Sequence, residues 1–208
     1  MIRIEDLSHF QLDVLKEIGN IGAGHAATAL SQILSEKVEM TVPSASIMPF
    51  NQVSEVMGGP ERVVTGVYMR MFGDAPGKIV FLFSELEANA LAELVIRTNL
   101  GSHTDKGYYE SALKEIGNIM TGAYLYALTK LTGFNLLPSV PALANDMVGA
   151  IINTALSDLG AIGDYALLIE TQFSLTSRQI NGHFFLIPDP GALEIILGAL
   201  GVGTVWNK

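Results

Sequence analysis

Between Asp13 and Ile33 the apolar and small residues return with the period of a helix. Leu15, Gly22, Ala26, Ala29 and Ile33 fall on one side, and Asp13, Glu17, Asn20 and Gly24 on the other. The same arrangement returns with Leu113, Met120, Tyr124, Ala127 and Leu131 set against Ser111, Glu115, Asn118 and Gly122. After the first helix, Val38 to Val42 alternates with period two and stops at Pro43, as a strand does. Arg62 to Phe72 and Lys78 to Phe83 are β-rich runs joined across Gly73-Asp74-Ala75-Pro76-Gly77. A second hairpin spans Tyr165 to Leu175 and Ile180 to Ile187, turning near Ser177-Arg178.

Helices are predicted between and after these hairpins. Ser84 and Glu87 form a capping box for one that runs to about Arg97. Asp146 caps a helix from Met147 to Leu159, and Pro190 opens a last one ending near Gly201. Hairpins in place of βαβ crossovers predict an α/β chain of the α+β type: a mostly antiparallel sheet covered by helices, two of them long.

The two long helices are copies of one unit. Leu15-Lys16-Glu17-Ile18-Gly19-Asn20-Ile21 returns letter for letter as Leu113-Lys114-Glu115-Ile116-Gly117-Asn118-Ile119, 98 residues on. At that offset, 12 of the 31 positions from Asp13 to Pro43 are identical without a gap, which is far beyond chance. The chain therefore reads as a single domain, residues 1–208, made of two repeats of about 1–100 and 108–208 related by a pseudo-two-fold. Gly101 to Gly107 is the natural hinge.

Composition narrows the class. With 208 residues, 49% hydrophobic and 16% charged, the chain has apolar material for a sizeable core. Mean hydropathy is positive at +0.37, but no apolar run approaches the ~20 residues that cross a bilayer. The N-terminus mixes Glu5 and Asp6 into the place of a signal peptide's basic region, so a cytoplasmic protein is expected. A net charge of −9 without a Lys/Arg cluster argues against nucleic acid or an anionic membrane as partner. The lack of cysteine excludes disulfide and thiolate chemistry.

The repeated pair on the polar face carries the candidate chemistry. Glu17 and Asn20, like Glu115 and Asn118, stand three apart and reach one object. Neither side chain is an activated nucleophile, and no base-oriented Ser or Cys accompanies them. An amide that orients water and an acid that anchors a cation suit catalysis by positioning, which is how phosphoryl transfer is commonly promoted. A lone Glu-x-x-Asn would be an ordinary solvated helix face. Two copies inside identical heptapeptides, with drifted surroundings, point to function.

Glycines flank each pair. Gly19 and Gly117, beside the asparagines, read as an open approach for a docking partner, whereas close packing and open approach are both available to Gly22 and Gly24. Gly19 to Gly24 has the glycine order G-x-x-G-x-G inside a helix, which is not a dinucleotide loop. His9, His25, His103 and His183 are scattered, with no metal-ligand spacing.

The spacing Asp/Ser, Glu, Asn and a later Pro occurs as Asp13, Glu17, Asn20, Pro43 and as Ser111, Glu115, Asn118, Pro141. It resembles the signature of the CheC/CheX/FliY phosphatases of bacterial chemotaxis, and Glu17 to His25 reads like the CheC phrase in particular. The resemblance implies a CheC-like fold and an enzyme, a phosphatase of the aspartyl-phosphate on the response regulator CheY. By that resemblance Glu17 and Glu115 pair with a lysine of CheY, Asn20 and Asn118 place the attacking water, and Asp13 and Ser111 support docking. Pro43 and Pro141 are structural. No cofactor or metal is expected on this chain, because the Mg²⁺ belongs to CheY. The family's partner CheD is implied at a segment similar to Asn145 to Ile151, with Asp146, Met147, Gly149 and Ala150 as contacts. The alternative reading is a non-enzymatic module, similar to the switch protein FliM, that binds phosphorylated CheY or sequesters CheD.

Overall fold

In a computed structural model that describes residues 7–100, 106–156, 165–175 and 179–203, one antiparallel sheet lies between two helical layers. The elements in chain order are α1 (His9–Leu34), β1 (Val38–Thr41), β2 (Ala45–Pro49), α2 (Phe50–Val56), β3 (Val63–Gly73), β4 (Gly77–Ser84) and α3 (Glu85–Leu100). Then come α4 (Lys106–Thr132), β5 (Leu136–Pro138), β6 (Ala142–Met147), α5 (Val148–Leu156), β7 (Tyr165–Leu175), β8 (Gln179–Pro188) and α6 (Ala192–Ala199).

The main path of the sheet runs β1-β7-β8-β4-β3-β5, with β2 also on β7 and β6 also on β3. Each repeat's hairpin thus receives the short strands that follow the other repeat's long helix. Val38–Thr41 pair with Gln172–Leu175, and Met71–Gly73 with Leu136–Pro138. The hairpins themselves meet along β4 and β8, where Gly77–Leu82 pair with His183–Pro188.

Strand alternation divides the core. Val67, Met71, Phe81, Ile169, Phe173 and Phe184 face α1, α3, α4 and α6, while Val64, Val80, Leu82, Leu168 and Phe185 face α2 and α5. Gly73 closes the β3 turn with φ of +110°, and an added Cβ would collide with the carbonyl oxygen of Asn135. Glycine is required there.

Several expectations hold and some shift. Both hairpins form where alternation places them, although Ser177-Arg178 lies outside the described residues. Ser84 and Glu87 make the capping box: Ser84 Oγ accepts from Glu87 N–H at 3.3 Å, and Glu87 Oε2 accepts from Ser84 N–H at 3.2 Å. Of the proposed hinge, Lys106 and Gly107 already belong to α4 and Gly101 to Asp105 lie outside the described residues. The last helix begins at Ala192, after Pro190 and not on it.

The buried stripe of α1 runs through Leu15, Ile18, Gly19, Gly22, Ala23, Ala26, Leu30 and Leu34, and Leu131 of α4 is exposed. A strict seven-residue spacing, as in Leu15, Gly22 and Ala29, drifts about 20° per repeat around a straight helix, so the far ends of both expected stripes leave the core.

Candidate functional site

Helix α1 begins at a capping box in which Ser8 Oγ accepts from Gln11 N–H, and its buried side docks on the sheet and on α4. That docking turns Asp13 and Glu17 outward, both exposed, with Asn20 half-buried beside them. On α4, Ser111, Glu115 and Asn118 are all exposed. Each acid–amide pair therefore occupies the outer face of its helix. Among the described residues, neither glutamate has a side-chain partner. Ser111 Oγ donates to the Gly107 carbonyl one turn back at 2.9 Å. Asp13 has no such bond among the described residues.

The two amides differ. Asn20 Oδ1 accepts from the Val42 N–H at 3.0 Å, just past the end of β1. Since a backbone N–H only donates, this bond fixes which end of the amide faces the strand and turns the Nδ2 donor outward. Pro43 follows immediately, exposed, with no N–H to compete for the same acceptor. In the second repeat the clasp is missing. Val140, the counterpart of Val42, is 87% exposed where Val42 is 4% exposed, and Asn118 bonds no other described side chain or strand. Pro141, immediately before β6, is half-buried.

The glycines beside the amides are packed, which corrects the expectation of an open approach. A Cβ on Gly19 would stand 3.3 Å from Val42 and Ile169, and one on Gly117 would stand 2.6 Å from Val67 Cγ1. Gly22 lets α1 approach α4 so closely that a Cβ would lie 3.0 Å from the Tyr124 Cα. A small cavity of about 30 Å³ between α1, α4 and the sheet is lined by residues that include Gly19, Val42, Tyr124 and Thr171. Burial pushes the Tyr124 hydroxyl well above the ordinary tyrosine range. The open positions are Gly24 and Gly122, where an added Cβ would meet nothing within 4 Å. His25, exposed, stands edge-on to the Tyr126 ring at 4.9 Å.

The expected cap at Asp146 is also corrected. Residues 142–147 stay extended because β6 pairs with β3 up to Met147 opposite Val63, so the helix starts at Val148. Its first N–H groups go to backbone carbonyls: Val148 to Arg62 at 2.9 Å and Gly149 to Pro60 at 3.0 Å. Asp146 Oδ1 accepts from the adjacent Met147 N–H at 2.7 Å. Asp146 and Met147 are exposed, Gly149 and Ala150 half-buried. Asp146 and Ala150 border a cavity of about 310 Å³ between β6, β3 and α5. Among the described residues, no group of three or more acidic or histidine side chains could hold a metal ion. No described helix is long and apolar enough to cross a membrane.

The family model described as CheC-like matches residues 10–47 and 110–144, which are the two site-bearing segments. CheY-P phosphatase CheC of Bacillus subtilis is 37% identical over 196 residues, covering 92% of this chain and 94% of that protein. The chain belongs to the CheC-like family. Its fold is that of this family's structural relatives. Thermotoga maritima FliY matches with a TM-score of 0.78 at 20% identity, covering 95% of this chain and 99% of that one. The FliM middle domain from H. pylori matches with a TM-score of 0.68 at 13% identity, over 93% and 99%.

Within this CheC-like fold, sequence reasoning found the acid–amide pairs but missed the Val42 backbone as the amide's holder. The signal was present in the identity of Val42 and Val140, although only the first of the two serves this way.

Proposed function

We propose that this CheC-like protein hydrolyses the aspartyl-phosphate of a phosphorylated CheY-type response regulator, using each outward acid–amide pair as one catalytic site. The observation that carries the reading is the duplicated pair: twice, a glutamate with no side-chain partner among the described residues stands one turn from an amide on an outer helix face. Similarity to a relative named for CheY-P phosphatase activity supports the substrate.

Glu17 or Glu115 takes a lysine ammonium of the regulator, setting the helix across the phosphorylation pocket. Asn20 or Asn118 then enters the pocket and holds a water in line with the phosphorus. Water attacks, the P–O bond to the aspartyl oxygen breaks, the regulator regains its carboxylate, and inorganic phosphate leaves with the water's oxygen. This chain contributes position and polarity and forms no covalent bond. A Mg²⁺ held in the regulator's own acidic pocket would offset the charge on the phosphoryl oxygens. Asp13 and Ser111 sit one turn before the glutamates, where they meet the rim of the pocket. CheD docks at Asp146, Met147, Gly149 and Ala150, beside the exposed cross-strand pair Val63 and Met147.

A phosphate-release assay with Asn20→Ala and Asn118→Ala tests this. Loss of one positioned polar group costs about 3 kcal/mol of barrier, roughly 10²-fold, at the affected site. We expect the double variant to leave the regulator at its own rate of dephosphorylation, and CheD to raise the rate of the unaltered protein. Continued acceleration by the double variant overturns the residue roles. Binding of phosphorylated regulator without any acceleration by the unaltered protein would make this a FliM-like binding module.

A further inference from the structure

The acid–amide pairs belong to longer helical strips, and the ends of those strips also correspond between the repeats. One turn before Asp13 stands Phe10, and at the same offset of 98 residues Tyr108 stands one turn before Ser111. Both are aromatic, both lie on the outer face, and both are exposed, Phe10 at 66% and Tyr108 at 39%. At the other end, one turn beyond the amides, Gly24 and Gly122 are exposed and would meet nothing if given a Cβ.

The spacing Phe10, Asp13, Glu17, Asn20, Gly24 follows one face of α1, and Tyr108, Ser111, Glu115, Asn118, Gly122 follows the same face of α4. All ten positions are exposed or half-buried. Single exposed apolar residues are ordinary on a protein surface. An aromatic placed outward twice, at one register, on the face that carries the chemistry is not explained that way.

We propose that Phe10 and Tyr108 are the docking anchors for the phosphorylated regulator, and that Gly24 and Gly122 are bare so that the regulator's backbone can close over the far end of each strip. This rests on the phosphatase reading above and deepens it. The helix rise of about 1.5 Å per residue puts each aromatic roughly 15 Å from its amide and each glycine roughly 6 Å beyond. The regulator therefore presents an apolar recess about that far to one side of its phosphoryl group, and close-fitting main chain on the other. Aromatic side chains suit such an anchor because they bury much area for few frozen rotors. Continuity with the acid–amide pair commits the strip to this partner.

Two double variants test the proposal from opposite directions, Phe10→Ala with Tyr108→Ala, and Gly24→Ala with Gly122→Ala. Phe72→Ala serves as a control, since Phe72 is an exposed aromatic that strand alternation turns to the opposite face of the sheet. The measurements are Kd for the beryllofluoride adduct of the regulator by calorimetry, KM for phosphate release, and Tm. Removing the aromatics raises Kd and KM by roughly tenfold or more, one conventional anchor's share. Alanine at the glycines raises Tm by a few degrees, because alanine is the better helix former and each such step is worth about 2–4 °C in a chain of this size. It nevertheless weakens binding. A merely structural role for these glycines would not move stability and affinity in opposite senses. Phe72→Ala leaves Kd where it was.

An unchanged Kd in either double variant overturns the proposal. If the Asn20/Asn118 double variant still accelerates phosphate release while the aromatic variant binds weakly, the catalytic roles fail and the docking strip stands. If the unaltered protein does not bind the adduct, both fall.

Discussion

Asn20 and Asn118 carry the same letter in the same heptapeptide, yet the molecule holds them differently. The Asn20 amide is tied to the Val42 N–H, and that N–H belongs to a buried residue. Truncating Asn20 to alanine therefore leaves a donor unsatisfied, at a cost of about 1–3 kcal/mol. Asn118 has no such bond among the described residues, and Asn118→Ala breaks none of those described. We expect Asn20→Ala to lower Tm by several degrees and Asn118→Ala to leave it within error. Asn20→Asp keeps an oxygen for Val42 and keeps Tm, while losing the outward Nδ2 donor and with it the first site's activity. Equal Tm values for the two alanine variants would show that the clasp does not form.

At the level of elements, close approach decides what each glycine does. Gly117 lies against Val67, a buried and β-branched residue with little freedom to yield, and an added Cβ would come within 2.6 Å of it. Gly117→Ala gains up to about 1 kcal/mol of helix propensity but forces α4 away from β3 at a cost of about 1–3 kcal/mol. We expect a net fall in Tm, with weaker second-site activity as the helix that presents Glu115 and Asn118 lifts. A rise in Tm would mean that α4 does not pack on β3 this way. Nothing in the sequence around Gly117 could have announced Val67, 50 positions away, and that is why its openness was misjudged. What was legible had a strong local period or a cap: α1 and α4, the four hairpin strands and β1 with its stop near Pro43 by their period, and α3 by its Ser84–Glu87 box. What was not legible had none. β5 is three residues long, β6 is exposed along nearly its whole length and so shows no alternation, and β2 runs straight into the short helix α2 at Pro49.

The arrangement of the whole chain follows from exchange between the repeats. Taken alone, the first hundred residues keep the β3–β4 hairpin but lose every other strand pairing, because β1 and β2 pair with β7, β3 pairs with β5 and β6, and β4 pairs with β8. A lone two-stranded hairpin is marginal in water. The two site helices would also lose each other, since α1 and α4 meet at Gly22 and Tyr124. The duplication visible in the sequence therefore does not amount to two independent folding units, although the repeat pattern by itself carried no information about which half each edge strand joins. Residues 1–100 and 106–208 expressed separately should each lack a cooperative thermal transition, whereas the full chain should melt once, with helix and tertiary signals coincident. Mixing the two pieces should restore the transition and, if the acid–amide pairs act as proposed, phosphate release as well. A cooperative melt of residues 1–100 alone, near the full chain's Tm, would mean that the pairing between halves is not what holds either site helix in place.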